Sequence, residues 1–217
     1  GKMGSSQPLA IAGQGKHCLL YGGTKQMKML KKLLAIVLTG AMALSLFTAC
    51  GSNAVSEKDI ADALTDMAKA QGMKATFTPR AKERELARKI AELIKKESAT
   101  ATVADGKDSS NNAAEEELNR ILGIDKGGAN EKNFVWTGTV VIDELGVSGQ
   151  AFELQKQVLD VNDAHNGASL GDKNPEDTRY MGSALCKVVE KGKQVTVRVI
   201  VVTAPVEGQE PQNPGKA

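Results

Sequence analysis

The 217-residue sequence predicts an α+β domain in which three to four helices pack on a small, mainly antiparallel sheet that ends in a β-hairpin. Apolar residues recur at helical spacing in the part of the chain before residue 123. Later segments instead alternate apolar and polar residues, as strands do. The last two of these segments are separated only by Glu190-Lys191-Gly192-Lys193, a short turn that predicts a hairpin.

The first predicted helix runs from about Glu57 to Ala70, because Ser56 and Asp59 form the pattern of an N-terminal cap ahead of an apolar stripe. The second is predicted to begin at Thr78 and Pro79, since a capping threonine followed by proline suits the start of a helix. The apolar stripe of this second helix consists of Leu86, Ile90, Leu93 and Ile94. The residues between the two helices, 74–78, are predicted as a short extended link.

A polar stretch over residues 98–112 is predicted as a connector, because Ser, Thr, Ala, Asn and Asp dominate it without any apolar period. A third, short helix follows from the cap formed by Asn112 and Glu115. It is predicted to stop at Gly123, since glycine is the commonest residue just after a helix.

The second half of the domain is predicted to hold the sheet. Residues 134–142 alternate as a strand, and a fourth helix is predicted from Gly149 to about Asp160. A polar loop over residues 162–178 follows, and the strands of the hairpin are then predicted at residues 180–189 and 194–203. The second hairpin strand is apolar on one face and mixed on the other, which predicts a central position in the sheet.

The segment ahead of the domain has the three-part layout of an export signal. Residues 27–32 are basic, residues 33–47 are almost wholly apolar, and small residues surround Cys50. The apolar run is shorter than the ~20 residues that a membrane-spanning helix needs. Residues 46–50 resemble the lipobox of bacterial lipoproteins, although Phe47 stands where that family usually has Leu. The resemblance implies cleavage before Cys50 and a diacylglycerol on its thiol.

The sequence therefore divides into five parts. Residues 1–26 show no sustained periodicity and are interpreted as an upstream extension foreign to the natural protein. Residues 27–49 are the predicted signal peptide and residues 50–55 a tether. One α+β domain is predicted over residues 56–204, and residues 205–217, rich in Pro, Gln, Gly and Asn, are predicted as a disordered tail.

Removal of the signal peptide would change the net charge of the protein, and the net charge indicates which partners to expect. Cleavage before Cys50 leaves 168 of the 217 residues and changes the formal net charge from +2 to −4, because the removed part holds six lysines and no acidic residue. An acidic chain without a dense basic patch argues against a nucleic-acid partner. The expected partner is a membrane, bound through the lipid on Cys50. The remaining thiol, Cys186, lies in an apolar run and is interpreted as a small buried hydrophobe.

His165 is the only histidine after Cys50, and it is therefore the only candidate for a general base of that type. We expect no metal site, because a zinc site needs three or four ligands in a compact set. We expect no cofactor either, since neither a phosphate loop nor a dinucleotide fingerprint is present. The alternative is weak hydrolase-type activity through His165 with Asp163 or Glu176. Trp136 is considered as the lining of a ligand groove, but a lone Trp on an alternating strand is more often core.

Several pieces of the chain resemble bacterial members of the CAP family, the cysteine-rich secretory, antigen-5 and pathogenesis-related superfamily. They are the helix Glu83 to Ile94, the strand Phe134-Val135-Trp136, the closing hairpin Tyr180 to Cys186 with Val195 to Val202, and the preceding loop with His165-Asn166. The resemblance implies an α/β/α sandwich. The family's cavity presents two histidines with acidic residues, whereas this chain offers one histidine, so the resemblance implies a degenerate form without the metal site.

These observations together predict a cell-envelope lipoprotein that faces outside the cytoplasm. Its domain is expected to act as a non-enzymatic binding or structural module, because the sequence carries a lipidation signal and lacks a catalytic constellation. The CAP-like domain with hydrolase-type activity through His165 is the alternative. Nothing in the sequence names the ligand.

Overall fold

The computed structural model describes residues 55–101, 112–124, 132–190 and 192–209. The predicted upstream extension, the signal peptide, Cys50 and most of the tether lie outside these ranges. Within them the α+β class is confirmed. In chain order the elements are α1 (Glu57–Ala70), β1 (Thr76–Pro79), α2 (Ala81–Ala101), α3 (Asn112–Leu122), β2 (Asn133–Val141), α4 (Val147–Val158), a 3₁₀ turn (Val161–Asp163), α5 (Gly167–Leu170), β3 (Thr178–Glu190) and β4 (Lys193–Pro205).

The four strands form one sheet in the order β1-β3-β4-β2. The pairs β2 with β4 and β3 with β4 are antiparallel, and only the short pair of β1 with β3 is parallel. The predicted mainly antiparallel sheet with a closing hairpin is therefore confirmed, and β4 lies at its centre. The β1 strand was predicted only as an extended link, since four residues are too few to show an alternating pattern.

Helices cover both faces of the sheet. On one face, α1 and α4 pack over a core that includes Ile60, Leu64, Phe134, Trp136, Leu154 and Ile200. On the other face, α2 and α3 pack over a second core that includes Ile90, Ile94, Leu118, Val135, Val197 and Val199. The result is three layers. Because β4 is covered on both faces, the residues from 199 to 202 are fully buried, which explains the run of β-branched residues there.

The start of α1 agrees with its prediction in detail. The Ser56 hydroxyl accepts a hydrogen bond from the Asp59 backbone N–H (3.1 Å), and the Asp59 carboxylate accepts one from the Ser56 N–H (2.8 Å). This reciprocal pair satisfies donors that the first helical turn leaves without partners.

The predicted start of the second helix is wrong. Thr78 and Pro79 lie in β1, and α2 begins only at Ala81. Pro79 is the last residue of a strand at the edge of the sheet, a position where its missing N–H costs little. The N–H of the next residue, Arg80, donates to the carbonyl of Met181 (2.8 Å), so the chain stays bound to β3 until the helix starts.

Three other boundaries differ by a few residues. Helix α2 continues to Ala101, into the stretch predicted as a connector, whose residues 102–111 lie outside the described part of the chain. Helix α4 begins at Val147, two residues before the predicted start. At the C-terminus, β4 includes Pro205, and Val206 is buried with its N–H bonded to the carbonyl of Lys132 (2.9 Å). The folded part therefore extends beyond the predicted limit at residue 204.

Candidate functional site

His165 lies against the outer edge of β2, the edge on which no strand of the described residues pairs. Its backbone N–H donates to the carbonyl of Val135 (2.8 Å), and its Nε2 lies 2.6 Å from the hydroxyl of Thr137. The next residue, Asn166, donates from its side-chain amide to the carbonyl of Asn133 (2.6 Å) and accepts from the N–H of Val135 (3.2 Å). The loop thereby takes the place of a fifth strand and protects an edge that would otherwise be open to pairing.

Gln157 continues the same edge protection from helix α4. Its side-chain carbonyl accepts from the N–H of Thr139 (3.0 Å), and its side-chain amide donates to the carbonyl of the same residue (2.9 Å). Two side-chain amides and one backbone N–H thus satisfy backbone groups along β2. The contacts of His165 belong to this structural arrangement.

The structure does not join His165 to either of the carboxylates proposed as its partners. Within the described residues, His165 makes no hydrogen bond with Asp163 or Glu176. Asp163 donates its N–H to the carbonyl of Asp160 (3.1 Å), and the Glu176 carboxylate accepts from the N–H of Gly208 (3.0 Å). Burial lowers the pKa of His165 to about 4, and no carboxylate counteracts that effect. The imidazole is therefore neutral at pH 7.

This burial predicts a specific pH dependence of stability. Because the folded-state pKa of His165 lies below the usual 6.5, the unfolded chain takes up a proton first as the pH falls. We expect wild-type protein to lose at most about 2 kcal/mol of unfolding free energy between pH 7 and pH 5 from this residue. Urea denaturation at the two pH values measures the loss.

The matched variant for this test is His165→Gln, which keeps a hydrogen-bonding side chain but cannot titrate. Its unfolding free energy at pH 7 is expected to be lower than that of the wild type, while its change between pH 7 and pH 5 should be smaller by the same amount of about 2 kcal/mol. An unaltered slope in the variant would show that the partly buried imidazole is not the source of the pH dependence.

Trp136 is part of the core and presents no surface to a ligand. Its side chain is fully buried, its ring stacks with that of Phe134 at a centroid distance of 5.7 Å, and its Nε1–H donates to the carbonyl of Asp160 (2.7 Å). The guanidinium of Arg179 lies 4.8 Å from the Trp136 ring centroid. Burial lowers the pKa of Arg179 to about 10, although Asp177 opposes the shift.

Cys186 is a buried residue of β3 within the core under α2 and α3. Burial raises the pKa of its thiol to about 11, so the reactive thiolate is scarce at neutral pH. The interpretation as a small buried hydrophobe agrees with this position. Across the described ranges, no group of three or more His, Cys, Asp or Glu side chains is arranged to hold a metal ion.

A cavity of about 210 Å³ opens on the other face of the sheet, between the start of α2 and the end of α3. Three cationic side chains line it, and no carboxylate of the described residues does. The polar lining is Arg80, Lys82, Arg120, Asn133, Tyr180 and Thr203. The apolar lining comes mainly from Leu86, Ile121, Leu122 and Val135. We refer to this cavity as the cationic pocket.

Beneath the cationic pocket lies a buried ion pair. Glu83 is fully buried; its carboxylate accepts from Nε of Arg80 (2.7 Å), from Nη2 of the same guanidinium and from the hydroxyl of Thr203 (2.7 Å). Burial alone would raise the pKa of Glu83, but these hydrogen bonds and the guanidinium charge outweigh it, so the pKa lies below its usual range. The guanidinium also lies 3.8 Å from the ring centroid of Tyr180. The guanidinium of Arg80 is therefore held between the Glu83 carboxylate and the Tyr180 ring.

The position of these residues depends on how closely α2 approaches the sheet. The first turn of α2 rests on Gly182 of β3, where there is no side chain to hold it away. Glu57 of α1 adds a second tie, because its carboxylate accepts from the N–H of Ser183 (2.8 Å) and pairs with Arg84 (2.6 Å). Arg80, Lys82 and Glu83 are thus held at a fixed height above the strands.

Of the three cations that line the pocket, Lys82 is the one that forms no ion pair with a carboxylate of the described residues. Arg80 is paired with Glu83, and Arg120 is paired with Glu117 in an exposed contact at the rim. Burial and the nearby charge of Arg80 lower the pKa of Lys82, while Glu83 opposes the shift. Nothing in the sequence singles out Lys82, because charges on one helix are usually solvated. No motif links it to Arg120 or Tyr180.

The resemblance to the CAP family was drawn from short segments of the sequence, and it implied a sandwich without a metal site. No protein-family model matches the chain, and neither a curated protein nor a solved structure is significantly similar to it.

Proposed function

We propose that the protein is a cell-envelope lipoprotein, held to the membrane by a lipid on Cys50, whose domain binds a ligand and catalyses no reaction. The cationic pocket is the observation that supports a binding role most directly. Beneath it lies an ion pair whose groups already satisfy one another, so neither Glu83 nor Thr203 is free to act as a base or nucleophile. The charge of the lining remains available to attract a ligand.

The tether in this proposal is short, and the domain holds its end firmly. Arg198 is almost fully buried and donates to the backbone carbonyl of Val55 (2.8 Å), to the side chain of Gln150 (2.8 Å) and to the hydroxyl of Ser183 (2.7 Å). Val55 is the fifth residue after Cys50, and an extended chain covers at most ~3.6 Å per residue. The domain would therefore sit within about 18 Å of the lipid attachment point.

We propose further that the fold is a CAP-like sandwich that has lost the histidine site. Helices on both faces of the sheet and a closing hairpin support this relation. The alternative of hydrolase-type activity gains no support, because His165 is bonded to the edge of β2 and not to Asp163 or Glu176. A binding scaffold is the role that this arrangement favours.

Replacement of the lipidation site tests the anchoring directly. In a bacterium that exports the protein from its own signal, we expect the wild type to fractionate with membranes and Cys50→Ala to lose the lipid that holds it there. No helix of the described residues is long and apolar enough to cross a bilayer. Detergent partitioning of cell fractions, followed by immunoblotting, measures the difference.

Cys186→Ala is the matched control, because it removes the other thiol that follows the signal peptide and leaves Cys50 in place. This variant should remain with the membranes. Release of Cys186→Ala, or retention of fully cleaved Cys50→Ala, would count against lipid anchoring through Cys50.

A further inference from the structure

We infer that the cationic pocket receives a small ligand through an anionic oxygen group, a carboxylate or a phosphate, bound by Lys82 and by the outer edge of the Arg80 guanidinium. The inference rests on the proposed binding role, and it adds the chemical class of the ligand. It does not depend on lipid anchoring, which is tested through Cys50.

The charges around the pocket favour an anion. Glu83 neutralises Arg80 from below, and Glu117 neutralises Arg120 at the rim, but side chains in that exposed pair hold each other weakly. Lys82 has no ion-pair partner among the described residues, and its side chain is partly buried. A charge in such a position gains more from an incoming anion than a fully solvated lysine does, because less water has to be displaced.

Arg80 is prepared to take part in the same contact. Its Nε and Nη2 donate to the Glu83 carboxylate, whereas its Nη1 makes no hydrogen bond within the described residues. The ring of Tyr180 on one face and Glu83 along one edge leave the guanidinium little freedom. A ligand oxygen that binds Nη1 therefore meets a donor that is already oriented, which reduces the entropy lost on binding.

The size and the apolar wall of the pocket limit the rest of the ligand. A volume of about 210 Å³ is below the ~300–1,000 Å³ of sites that enclose drug-sized molecules. Leu86, Ile121 and Leu122 add apolar surface to the lining. The pocket thus suits a small acid with a compact apolar part, or the charged end of a larger molecule.

Three matched probes separate charge from shape: benzoate, phenyl phosphate and the neutral benzamide. Purified full-length protein in a non-ionic detergent is titrated with each probe, and binding is followed by ligand-observed saturation-transfer NMR. We expect saturable binding of benzoate or phenyl phosphate and at least tenfold weaker binding of benzamide. The stronger of the two anions identifies the preferred group, and a preference for either one supports the inference.

Two variants on α2 locate the site. Lys82→Gln should weaken binding of the anionic probe about tenfold, as loss of a charged hydrogen bond does. Lys89→Gln removes an exposed charge two turns further along the same helix, outside the pocket lining, and should leave binding unchanged. Equal affinity for benzamide and benzoate would overturn the inference and leave the pocket as a neutral binding site. Absence of saturable binding, or equal effects of the two variants, would also overturn the inference. Membrane anchoring is tested separately, through Cys50.

Discussion

Replacement of Gly182 by valine should prevent the protein from folding, and replacement by alanine should lower the unfolding free energy by more than about 4 kcal/mol. A Cβ atom at this position would lie 1.9 Å from the backbone nitrogen of Arg84 and 2.2 Å from the backbone carbonyl carbon of Glu83. Both are main-chain atoms of α2, so the clash is relieved only if the whole helix moves off the sheet. Such a movement would also disrupt the ion pair beneath the cationic pocket.

Two other glycines provide graded controls. Gly146→Ala places its methyl group in open space at an ordinary φ of −80° and should change the unfolding free energy by less than about 1 kcal/mol. Gly138→Ala meets side-chain atoms of Leu154, Ile200 and Val158 at 3.2–3.3 Å, which have to shift by only a few tenths of an ångström, so an intermediate loss is expected. In urea denaturation the loss of unfolding free energy should be largest for Gly182→Ala, intermediate for Gly138→Ala and smallest for Gly146→Ala. Wild-type stability of Gly182→Ala would contradict the close approach of α2 to β3.

Arg80→Met should lower the unfolding free energy by about 3–5 kcal/mol at pH 7, because it leaves the carboxylate of Glu83 buried without its cation. The contribution of Glu83 to the pH dependence of stability should then change sign. In the wild type the pKa of Glu83 is depressed, so its contribution to stability is present above the unfolded pKa of ~4.3 and is lost as the pH falls through the folded value. In the variant, burial dominates and raises the pKa of Glu83. The loss of stability relative to the wild type is therefore greatest at high pH, where this carboxylate is charged.

Urea denaturation of both proteins at pH 7 and pH 4.5 tests this reversal: the gap between Arg80→Met and the wild type should narrow at the lower pH. The double variant Arg80→Met/Glu83→Gln is the control, since glutamine still accepts from the hydroxyl of Thr203 but carries no charge. We expect it to recover most of the stability at pH 7. A constant gap at the two pH values, with no recovery in the double variant, would show that Glu83 is not a buried charge.

Most of the regular elements could be predicted from the sequence, because each leaves a local signal. The capping box at Ser56 fixes the start of α1, and alternating residues mark β2, β3 and β4. The exceptions depend on distant parts of the chain. Thr78 and Pro79 look like a helix start when read alone, but they form a strand because β3, about 100 residues later, provides the partner.

The cationic pocket could not be predicted in the same way. Lys82 and Arg120 belong to different helices, and Tyr180 and Thr203 come from two strands much later in the chain. The sequence does not indicate that Glu83 is buried, because an acidic residue in the first turn of a helix is usually explained by the helix dipole. His165 attracted attention as a lone histidine, but its role depends on Val135 and Thr137, which only the fold brings to it.

The mass of the N-terminal peptide tests the central proposal most directly. The protein is exported from its own signal, isolated from membranes and digested, and the peptide that begins at Cys50 is measured by mass spectrometry. We predict cleavage before Cys50 and a mass increased by a diacylglyceryl group, with or without one further amide-linked acyl chain. Cleavage at another bond, with an unmodified thiol on Cys50, would contradict the proposal and identify the protein as simply secreted.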